Sequence, residues 1–317
     1  MKIKFSLIAA AMLIAPNLVF GSDEAKSVAE TRLDQSQLVN LTQDLLSDRV
    51  ISSIKRSDDW EIFANGGGSV LKLHSGSHIN HKGVNANLGI AKSFDDLSFG
   101  LAFEYGYSRF DSKVGAVEAK GNSQLMGGAI FAKYISPEKY YANGSFHMGK
   151  LSTDHEDKAS LATFDTDSNY YAVDLGGGKI FDFTKTAHFD LYGKYLFSLA
   201  GSDEVVASTG DTLRFHSLSS HRIKFGFEFN KNLRSGFNKD RGLFYAGAAF
   251  QYEFASESKV NIGPDEAPRP KLEGGTVIGD LGWRINLSKS TAFDIGGKAY
   301  IGKARGGAAN AGLIIKF

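Results

Sequence analysis

From Trp60 to Phe317, apolar and polar side chains alternate with a period of two residues, as they do in β-strands that have two differently solvated faces. In the segment 97–108 every odd position is large and apolar or aromatic, and every even position is small or polar. The last ten residues, 308–317, follow the same rule and place one apolar face on Ala309, Ala311, Leu313, Ile315 and Phe317. About twelve such segments follow one another along the chain, an even number that would return both ends to the same side of a barrel.

The connections between these segments alternate between short and long. The short turns are 93–96, 136–139, 183–186 and 287–290, with 231–241 somewhat longer, and the long polar connections are 111–121, 152–167, 201–217 and 255–274. A barrel that crosses a membrane has short periplasmic turns and longer external loops, whereas a soluble sandwich has no reason to sort its loops in this way. The pattern therefore predicts an all-β fold, a transmembrane antiparallel β-barrel of about 12 strands, and disfavours a soluble all-β domain.

Residues 22–59 have a helical period instead, so an α-helix of about 20 residues is predicted to precede the barrel, which spans 60–317. Leu38, Leu41 and Leu45 form an apolar stripe, and Asp34, with Gln37 three residues later, is placed to cap the start of the helix. Such a helix is about 30 Å long, close to the height of a membrane barrel. It can lie in the lumen as a plug or rest in the periplasm as a partner-binding helix.

Two arguments favour the lumen. A helix left in the periplasm would expose about three leucines to water, which forfeits roughly 1.5–3 kcal/mol for each one that could otherwise be buried. Inside the barrel, Asp44 and Asp48 would turn towards lumenal cations such as Arg222 or Lys224. We therefore expect the helix to dock in the lumen unless a partner covers its apolar stripe.

Strand parity assigns charged residues of both signs to the interior of the barrel. The predicted lumen-lining residues are Glu104, Lys133, Asp190, Lys194, Arg222, Lys224, Glu228, Asp280, Arg284, Asp294 and Lys298. These charges can simply neutralise one another, or they can line a gated or plugged pore with weak ion selectivity. Small residues on the same side of the strands would leave room for a helix along one wall: Gly100, Ala102, Gly106, Gly247 and Ala249.

The start of the chain and its composition indicate a route to the membrane. Residues 1–21 have a basic start, an apolar core and a small residue before Ser22, which predicts a signal peptide and export. No later run of about 18 apolar residues is present, so no transmembrane helix is expected. The 36 glycines and the aromatic residues (24 Phe, 12 Tyr and 2 Trp) suit many glycine-punctuated strands, and a net charge of +1 gives no reason to expect a nucleic-acid partner.

Two segments resemble ligand-binding loops without completing them. The segment 144–150 matches most of a phosphate-binding loop, but Leu151 stands where Ser or Thr is needed and the segment alternates as a strand. The segment 165–169 begins like a calcium loop but lacks the required glycine and closing glutamate. We therefore expect no nucleotide, cofactor or calcium site at either place.

Enzymatic and metal sites are also disfavoured. His74, His78 and His81 cluster near the first hairpin, but no nearby cysteine completes a zinc site, and the chain contains no cysteine at all. Ser219 and His221 share a face of one strand but lack an identified acid, so a barrel hydrolase is the weaker hypothesis. We expect no catalytic and no metal-binding residue.

The helix candidate, the strands and the terminal sequence 311–317 together resemble the autotransporter β-domain, the translocator barrel of type V secretion. The resemblance covers 60–317 and, by position, the preceding helix. It implies a pore or transport role in the Gram-negative outer membrane. Members usually carry a long passenger between signal peptide and barrel, and 22–59 leaves room only for the helix. Some cleave at paired asparagines in the helix, and Asn40 stands alone, so that chemistry is not supported.

The resemblance also implies partners. These are outer-membrane lipid and the outer-membrane barrel assembly machinery, for which Phe317 would be the assembly signal, and the barrel is expected to be a monomer. The alternatives that remain open are a small passive diffusion channel and a surface-binding, adhesin-like barrel that acts through its long external loops. Cargo, solute and receptor are not indicated by the residues, nor is the use of a separate passenger protein.

Overall fold

The computed structural model describes residues 22–52, 59–158, 162–233 and 241–317, with side chains described up to residue 48 in the first range. The predicted signal peptide, 1–21, lies outside the described residues. In chain order the elements are α1 (Ser22–Ser52), β1 (Trp60–His74), β2 (His78–Phe94), β3 (Leu97–Val114), β4 (Val117–Ile135), β5 (Tyr140–Asp157), β6 (Thr163–Asp182), β7 (Ala187–Ala200), β8 (Asp203–Val206), β9 (Thr212–Phe215), β10 (Leu218–Leu233), β11 (Gly242–Ala255), β12 (Val260–Ile262), β13 (Asp265–Glu266), β14 (Gly274–Asn286), β15 (Thr291–Gly302) and β16 (Ala304–Lys316).

Twelve of the described strands form a closed antiparallel barrel, which confirms the predicted fold. Going round the wall, the strands follow chain order from β1 to β7 and continue with β10, β11, β14, β15 and β16. β16 pairs with β1 from Glu61 opposite Lys316 to Leu73 opposite Ala304, and this pairing closes the barrel. Trp60 and Phe317 complete the seam, since the N–H of each donates to the C=O of the other at 3.0 Å.

The two faces of the wall differ as the alternation predicted. On β3, Phe99, Leu101 and Phe103 are about half exposed, whereas the intervening Ala102 and Glu104 are buried. The same alternation recurs on the other strands, so a girdle of exposed apolar side chains surrounds a more polar interior. This is the arrangement of a barrel with lipid outside.

The two ends of the barrel are distinct. One end carries the short turns 95–96, 136–139, 183–186 and 287–290, and we call it the short-turn end. A belt of exposed aromatic residues lies near it: Trp60, Phe94, Phe99, Tyr134, Tyr140, Phe181, Phe183 and Trp283. Aromatic belts mark the membrane–water boundary. The opposite end, which we call the long-loop end, carries the connections that were predicted to be long.

Two of those connections are mostly strand, so their predicted loop character is wrong. β3 and β4 continue to a tight turn at 115–116. In the next pair, β5 ends only at Asp157 and β6 already begins at Thr163. Polar side chains occupy both faces of these extensions, with exposed ion pairs between Lys113 and Glu118 and between Lys120 and Glu156. The inner face of these extensions is buried but carries polar residues such as Ser112, Thr153 and His155, so the extensions lack the apolar alternation by which strands are recognised.

The other two long connections fold into a second sheet, in the order β13, β12, β9 and β8. We call this sheet the lid. Its buried side chains, Leu213, Phe215, Val260 and Ile262, form one cluster with Val28 and Ala29 of α1 and with Phe164 of β6. The lid therefore lies over the long-loop end of the barrel and is packed against the first turns of the helix.

α1 runs through the interior of the barrel. Near its start, Lys26 is close to Gly76 and Asp23 is close to Gly115, both at hairpin tips of the long-loop end. Between Ala25 and Ser47 nearly every side chain is buried. At 31 residues the helix is longer than the about 20 expected from the leucine stripe, because its first turns lie beneath the lid. No helix among the described residues is both long and apolar enough to cross a membrane.

Candidate functional site: the lumen and its helix

The residues that strand parity assigned to the lumen fall into two groups by exposure. Glu104, Lys133, Asp190, Lys194, Arg222 and Lys224 are buried, and Glu228, Asp280, Arg284, Asp294 and Lys298 are partly buried. Outward neighbours on the same strands differ sharply, since Phe225 is 62% exposed and Leu281 is 49% exposed. The structure therefore places all of these charged residues on the inner side of the wall.

The leucine stripe of α1 contacts three parts of the wall. Leu38 packs with Leu125, Leu151 and Tyr170. Leu41 belongs to a cluster with Ile278 of β14 and Tyr300 of β15, and Leu45 lines a cavity between the helix and the wall. Leu46, which lies beside the stripe, is fully buried with Phe63 and Phe131. Full burial of a leucine contributes roughly 1.5–3 kcal/mol, which applies to Leu38, Leu41 and Leu46 but not to the partly buried Leu45.

The polar face of the helix is equally buried, which the sequence did not predict. Asp34 was expected to cap the start of a helix, but the helix starts twelve residues earlier, at Ser22, so this expectation is wrong. Instead, Asp34 Oδ1 lies 2.6 Å from His81 Nδ1, and Oδ2 accepts hydrogen bonds from Ser108 and Ser123 at 2.8 and 2.9 Å. One carboxylate thus joins α1 to β2, β3 and β4.

Further polar contacts extend this interface round half of the barrel. Gln35 Nε2 donates to Thr153 Oγ1 of β5 and Thr166 Oγ1 of β6 at 2.7 and 3.0 Å. Asn40 donates to Ser220 Oγ of β10 at 3.2 Å and accepts from Ser198 Oγ of β7 at 2.8 Å. The sequence does not distinguish these buried polar positions of the helix from positions that face water. Their partners on the strands are also polar and give no further signal.

The carboxylates of Asp44 and Asp48 meet cations of the wall. Asp44 Oδ2 lies 3.1 Å from Arg222 Nη1, which is one of the two cations that the sequence suggested. Asp48 Oδ1 lies 2.9 Å from Lys194 Nζ and 3.6 Å from Lys224 Nζ, and its Oδ2 contacts Lys298. The helix carboxylates therefore neutralise part of the positive charge on β7, β10 and β15.

The wall also contains its own ion pair. Arg284 on β14 and Asp294 on β15 are neighbours across the two strands, and Arg284 Nη2 lies 3.0 Å from Asp294 Oδ2. Asp190 accepts a hydrogen bond from Tyr141 Oη at 2.9 Å, and Glu228 accepts one from Asn230 at 2.8 Å. Charges of the lumen thus pair both with one another and with the helix.

The small residues predicted to make room for a helix do so only in part. A side chain at Gly106 would lie 3.1 Å from Leu38 and Thr42 of α1, so this glycine permits close approach of the helix. Gly100 instead accommodates the ring of Phe131, and Gly247 accommodates the carboxylate of Asp280. Small residues on an inner face therefore serve neighbouring side chains of the wall as well as the helix.

Ser145, His147 and Glu104 have the spacing of a hydrolase triad. His147 Nε2 lies 2.6 Å from Ser145 Oγ, and His147 Nδ1 lies 2.9 Å from Glu104 Oε1. However, Ser145 Oγ donates its hydrogen to Asp174, so the serine accepts from the ring rather than giving up its proton to it. All four side chains are buried. The arrangement satisfies buried charges across β3, β5 and β6 and does not activate a nucleophile.

The histidines and serines noted in the sequence lie elsewhere. His81 faces Asp34 inside the barrel, whereas His74 Nδ1 lies 3.2 Å from the carbonyl of Lys303 at the long-loop end. His221 Nδ1 lies 2.7 Å from Tyr195 Oη on the outer side of the wall. Ser220, one residue earlier, points inward and donates to Glu253 at 2.6 Å. The ring centres of His74 and His78 lie 5.1 Å apart, but His81 faces the interior, so the structure does not bring the three histidines together.

A cavity of about 120 Å³ remains between the helix and the part of the wall that it packs against least. Its lining includes Asp48, Lys224, Asp280, Asp294 and Lys298. The helix lies mainly against β2 to β5, and the cavity is on the side of β11, β14, β15 and β16. It is large enough for several water molecules.

The comparisons with known proteins agree with this geometry. The model of the autotransporter beta-domain matches residues 62–298. The translocator domain of the autotransporter NalP from Neisseria meningitidis is similar at a TM-score of 0.70 and 12% identity, covering 92% of this chain and 99% of that one. The transport unit of AIDA-I from Escherichia coli is similar at 0.65 and 11%, covering 90% and 98%, and the beta domain of BrkA from Bordetella at 0.63 and 13%, covering 81% and 99%. No curated protein matches.

At these identities the structural matches show the fold alone, but the family model covers well over half of the chain. Autotransporter barrels are lipid-embedded proteins of the Gram-negative outer membrane with a role in transport, so the predicted localisation and the resemblance are confirmed. The girdle of exposed apolar side chains, Leu101 and Leu281 among them, is the surface that meets the lipid. This chain, a twelve-stranded outer-membrane translocator barrel with a helix in its lumen, belongs to the autotransporter beta-domain family.

Proposed function

We propose that this protein is a transport conduit of the outer membrane whose lumen is closed by α1, with residues 22–59 acting as the plug. One observation carries the proposal. From Ala25 to Ser47 the helix is buried in the barrel by both apolar and polar contacts, so that hydrogen-bond partners on β2 to β7 and β10 surround it. A pore filled in this way conducts little until the helix moves.

Several features support a closed state that can open. The helix is held by hydrogen bonds and ion pairs as well as by apolar contacts, and each of the polar groups can exchange its partner for water. A closed wall with no free strand edge and an apolar outer face supports a monomer that contacts lipid. The buried and mutually satisfied state of Ser145 and His147 supports a role without catalysis.

Conductance in planar bilayers tests the proposal. Deletion of 22–56 should raise single-channel conductance and admit solutes, provided that heat-dependent gel mobility shows the barrel to be folded. In the full chain, Gly106→Leu should have the same direction of effect because the new side chain would collide with Leu38 and Thr42. Gly279→Leu is the matched control, since nothing lies within 4 Å of a side chain there. Unchanged conductance in a folded, helix-deleted barrel would contradict the proposal.

A second candidate, a small passive diffusion channel, is favoured by the cavity beside the helix. If that cavity connects both ends of the barrel, the unmodified protein should conduct small ions steadily, without opening and closing events. The same recordings distinguish the candidates, because a plug that moves produces discrete events whose frequency rises in Gly106→Leu.

A further inference from the structure

Asp48 lies where lysines from three strands of the wall converge. Lys194 of β7 and Lys224 of β10 approach its Oδ1 at 2.9 and 3.6 Å, and Lys298 of β15 contacts its Oδ2. Lys194 also donates to Ser47 Oγ at 2.9 Å. A single carboxylate thus holds together three ammonium groups, each of which is provided by the wall.

The ion pairs of this cluster depend on the helix. Arg222 pairs with Asp44, which also belongs to the helix. Three carboxylates of the wall lie near the cluster: Asp280, the cross-strand neighbour of Lys298, and Asp190 and Glu228, which accept hydrogen bonds from Tyr141 and Asn230. Among the described residues, however, the ion pairs of Lys194, Lys224 and Lys298 are made with Asp48, so withdrawal of Asp48 removes the carboxylate that the three ammonium groups share. Like charges at close range in a partly desolvated lumen repel one another, and an anion that enters from solution relieves this repulsion.

Space for such an anion is already present. The cavity of about 120 Å³ between helix and wall is lined by Lys224, Lys298 and Asp48, so two of the three lysines border it even in the closed state. Lysine ammonium groups bind the oxygens of phosphate and carboxylate ions as point charges that can be approached from many directions. The carboxylate of Asp48 is itself such an oxyanion.

We propose that Lys194, Lys224 and Lys298 form a binding site for a small multivalent oxyanion, such as inorganic phosphate, and that Asp48 occupies this site while α1 is docked. The inference rests on the proposed function in one respect, namely that the helix leaves the lumen. The helix carboxylate then competes with the oxyanion for the same three lysines. A bound oxyanion stabilises the barrel with its helix displaced, and this coupling makes the open state sensitive to anions.

The test uses the full chain with Asp48→Asn, which removes the competing charge and keeps the size of the side chain. The probe is inorganic phosphate, compared with chloride at equal ionic strength, and the readout is the temperature at which the folded gel mobility is lost. At a phosphate concentration about five times the dissociation constant, we expect a rise of about 2–4 °C in the variant and little change in the unmodified protein. Combining Asp48→Asn with Lys224→Met should abolish the rise.

The matched control is Asp294→Asn, which removes a carboxylate of the same cavity that pairs with Arg284 but leaves the three lysines paired with Asp48. Phosphate should raise the temperature at which the folded gel mobility is lost less in Asp294→Asn than in Asp48→Asn. If Asp48→Asn does not accumulate in a folded form, refolding in phosphate should rescue it and refolding in chloride should not. Equal responses of all variants to phosphate, or no response and no rescue of Asp48→Asn, would overturn the site. Because this readout does not involve conductance, failure of the site and failure of the plug proposal are distinguishable.

Discussion

His81 Nδ1 lies 2.6 Å from Asp34 Oδ1, and both side chains are fully buried. The pair joins the middle of α1 to β2, and Ser108 and Ser123 complete the coordination of the same carboxylate. A buried carboxylate is tolerated only where charges and hydrogen bonds replace its water shell. The wall of this barrel is therefore complementary to the polar face of the helix, and not only to its leucines.

Asp34→Ala should destabilise the docked helix. The substitution leaves His81, Ser108 and Ser123 facing an apolar methyl group, and a buried polar group that loses its hydrogen-bond partner costs about 1–3 kcal/mol. We expect faster proteolysis of α1 in detergent-solubilised protein, while the barrel keeps its heat-dependent gel mobility. Asp23→Asn, at an exposed position of the same helix, should change little, by about 0.5 kcal/mol or less. Equal protease resistance of Asp34→Ala and the unmodified chain would show that the pair contributes nothing to docking.

The sequence is informative about the wall because lipid and lumen impose opposite requirements on alternate residues. Phe103 is about half exposed and the adjacent Glu104 is fully buried. Such differences between neighbours produce an alternation of apolar and polar residues that can be recognised in the sequence alone. The alternation weakens where strands extend beyond the membrane, and for this reason the segments 111–121 and 152–167 were predicted as loops. Periodicity thus identifies the membrane-spanning part of each strand and not its full length.

The helix–wall interface could be predicted only in part. Leu38 was expected to pack on the wall and Asp48 to meet Arg222 or Lys224, because an apolar stripe and unpaired acids both require partners. The structure places Leu38 against Leu125 and Leu151, and Asp48 Oδ1 3.6 Å from Lys224 Nζ. Asp34, Gln35 and Asn40 carried no such signal, since a polar helix face usually meets water. Contacts between strands, such as Glu104 with His147, depend on register and need the structure.

Phe317→Asp should impair insertion into the outer membrane. The side chain of Phe317 is 66% exposed at the short-turn end, where a charge costs only about 0–1 kcal/mol. A large loss of membrane-inserted protein would therefore reflect recognition of the terminal residue by the assembly machinery rather than bilayer energetics. Leu287→Asp is the control, because Leu287 is 64% exposed at the same end but lies outside the terminal strand. Normal levels of folded Phe317→Asp in the membrane would refute the assembly-signal hypothesis.

Labelling of single cysteines should place the long-loop end outside the cell. The chain has no cysteine of its own, so each introduced thiol is the only target for an impermeant reagent. Glu156→Cys and Glu266→Cys, both exposed at the long-loop end, should react on whole cells. Pro137→Cys and Lys289→Cys, exposed at short turns, should react only after the envelope is disrupted. Labelling of residue 137 or 289 on intact cells would contradict this orientation and place the short-turn end outside the cell.

Arg32 connects the helix to the lid. Its Nη2 donates to the carbonyls of Ala200, Gly201 and His216, which flank the strands β8 and β9, and its guanidinium lies 5.8 Å from the ring centre of Phe215. The side chain is fully buried. Both ends of one lid hairpin are therefore fixed to a single residue of α1, so movement of the helix and opening of the lid should be coupled.

Arg32→Met should loosen the lid without disturbing the wall. Methionine keeps much of the apolar stem but removes the donors, and unsatisfied buried carbonyls cost about 1–3 kcal/mol. Amide hydrogen exchange in β8 and β9 should therefore accelerate by about 5–150-fold, whereas exchange in β3 and β4 should not change. Arg214→Met provides the control, because this arginine lies on the exposed face of the lid and pairs with the exposed Glu204. Equal exchange in Arg32→Met and Arg214→Met would mean that the lid is held by its apolar cluster alone.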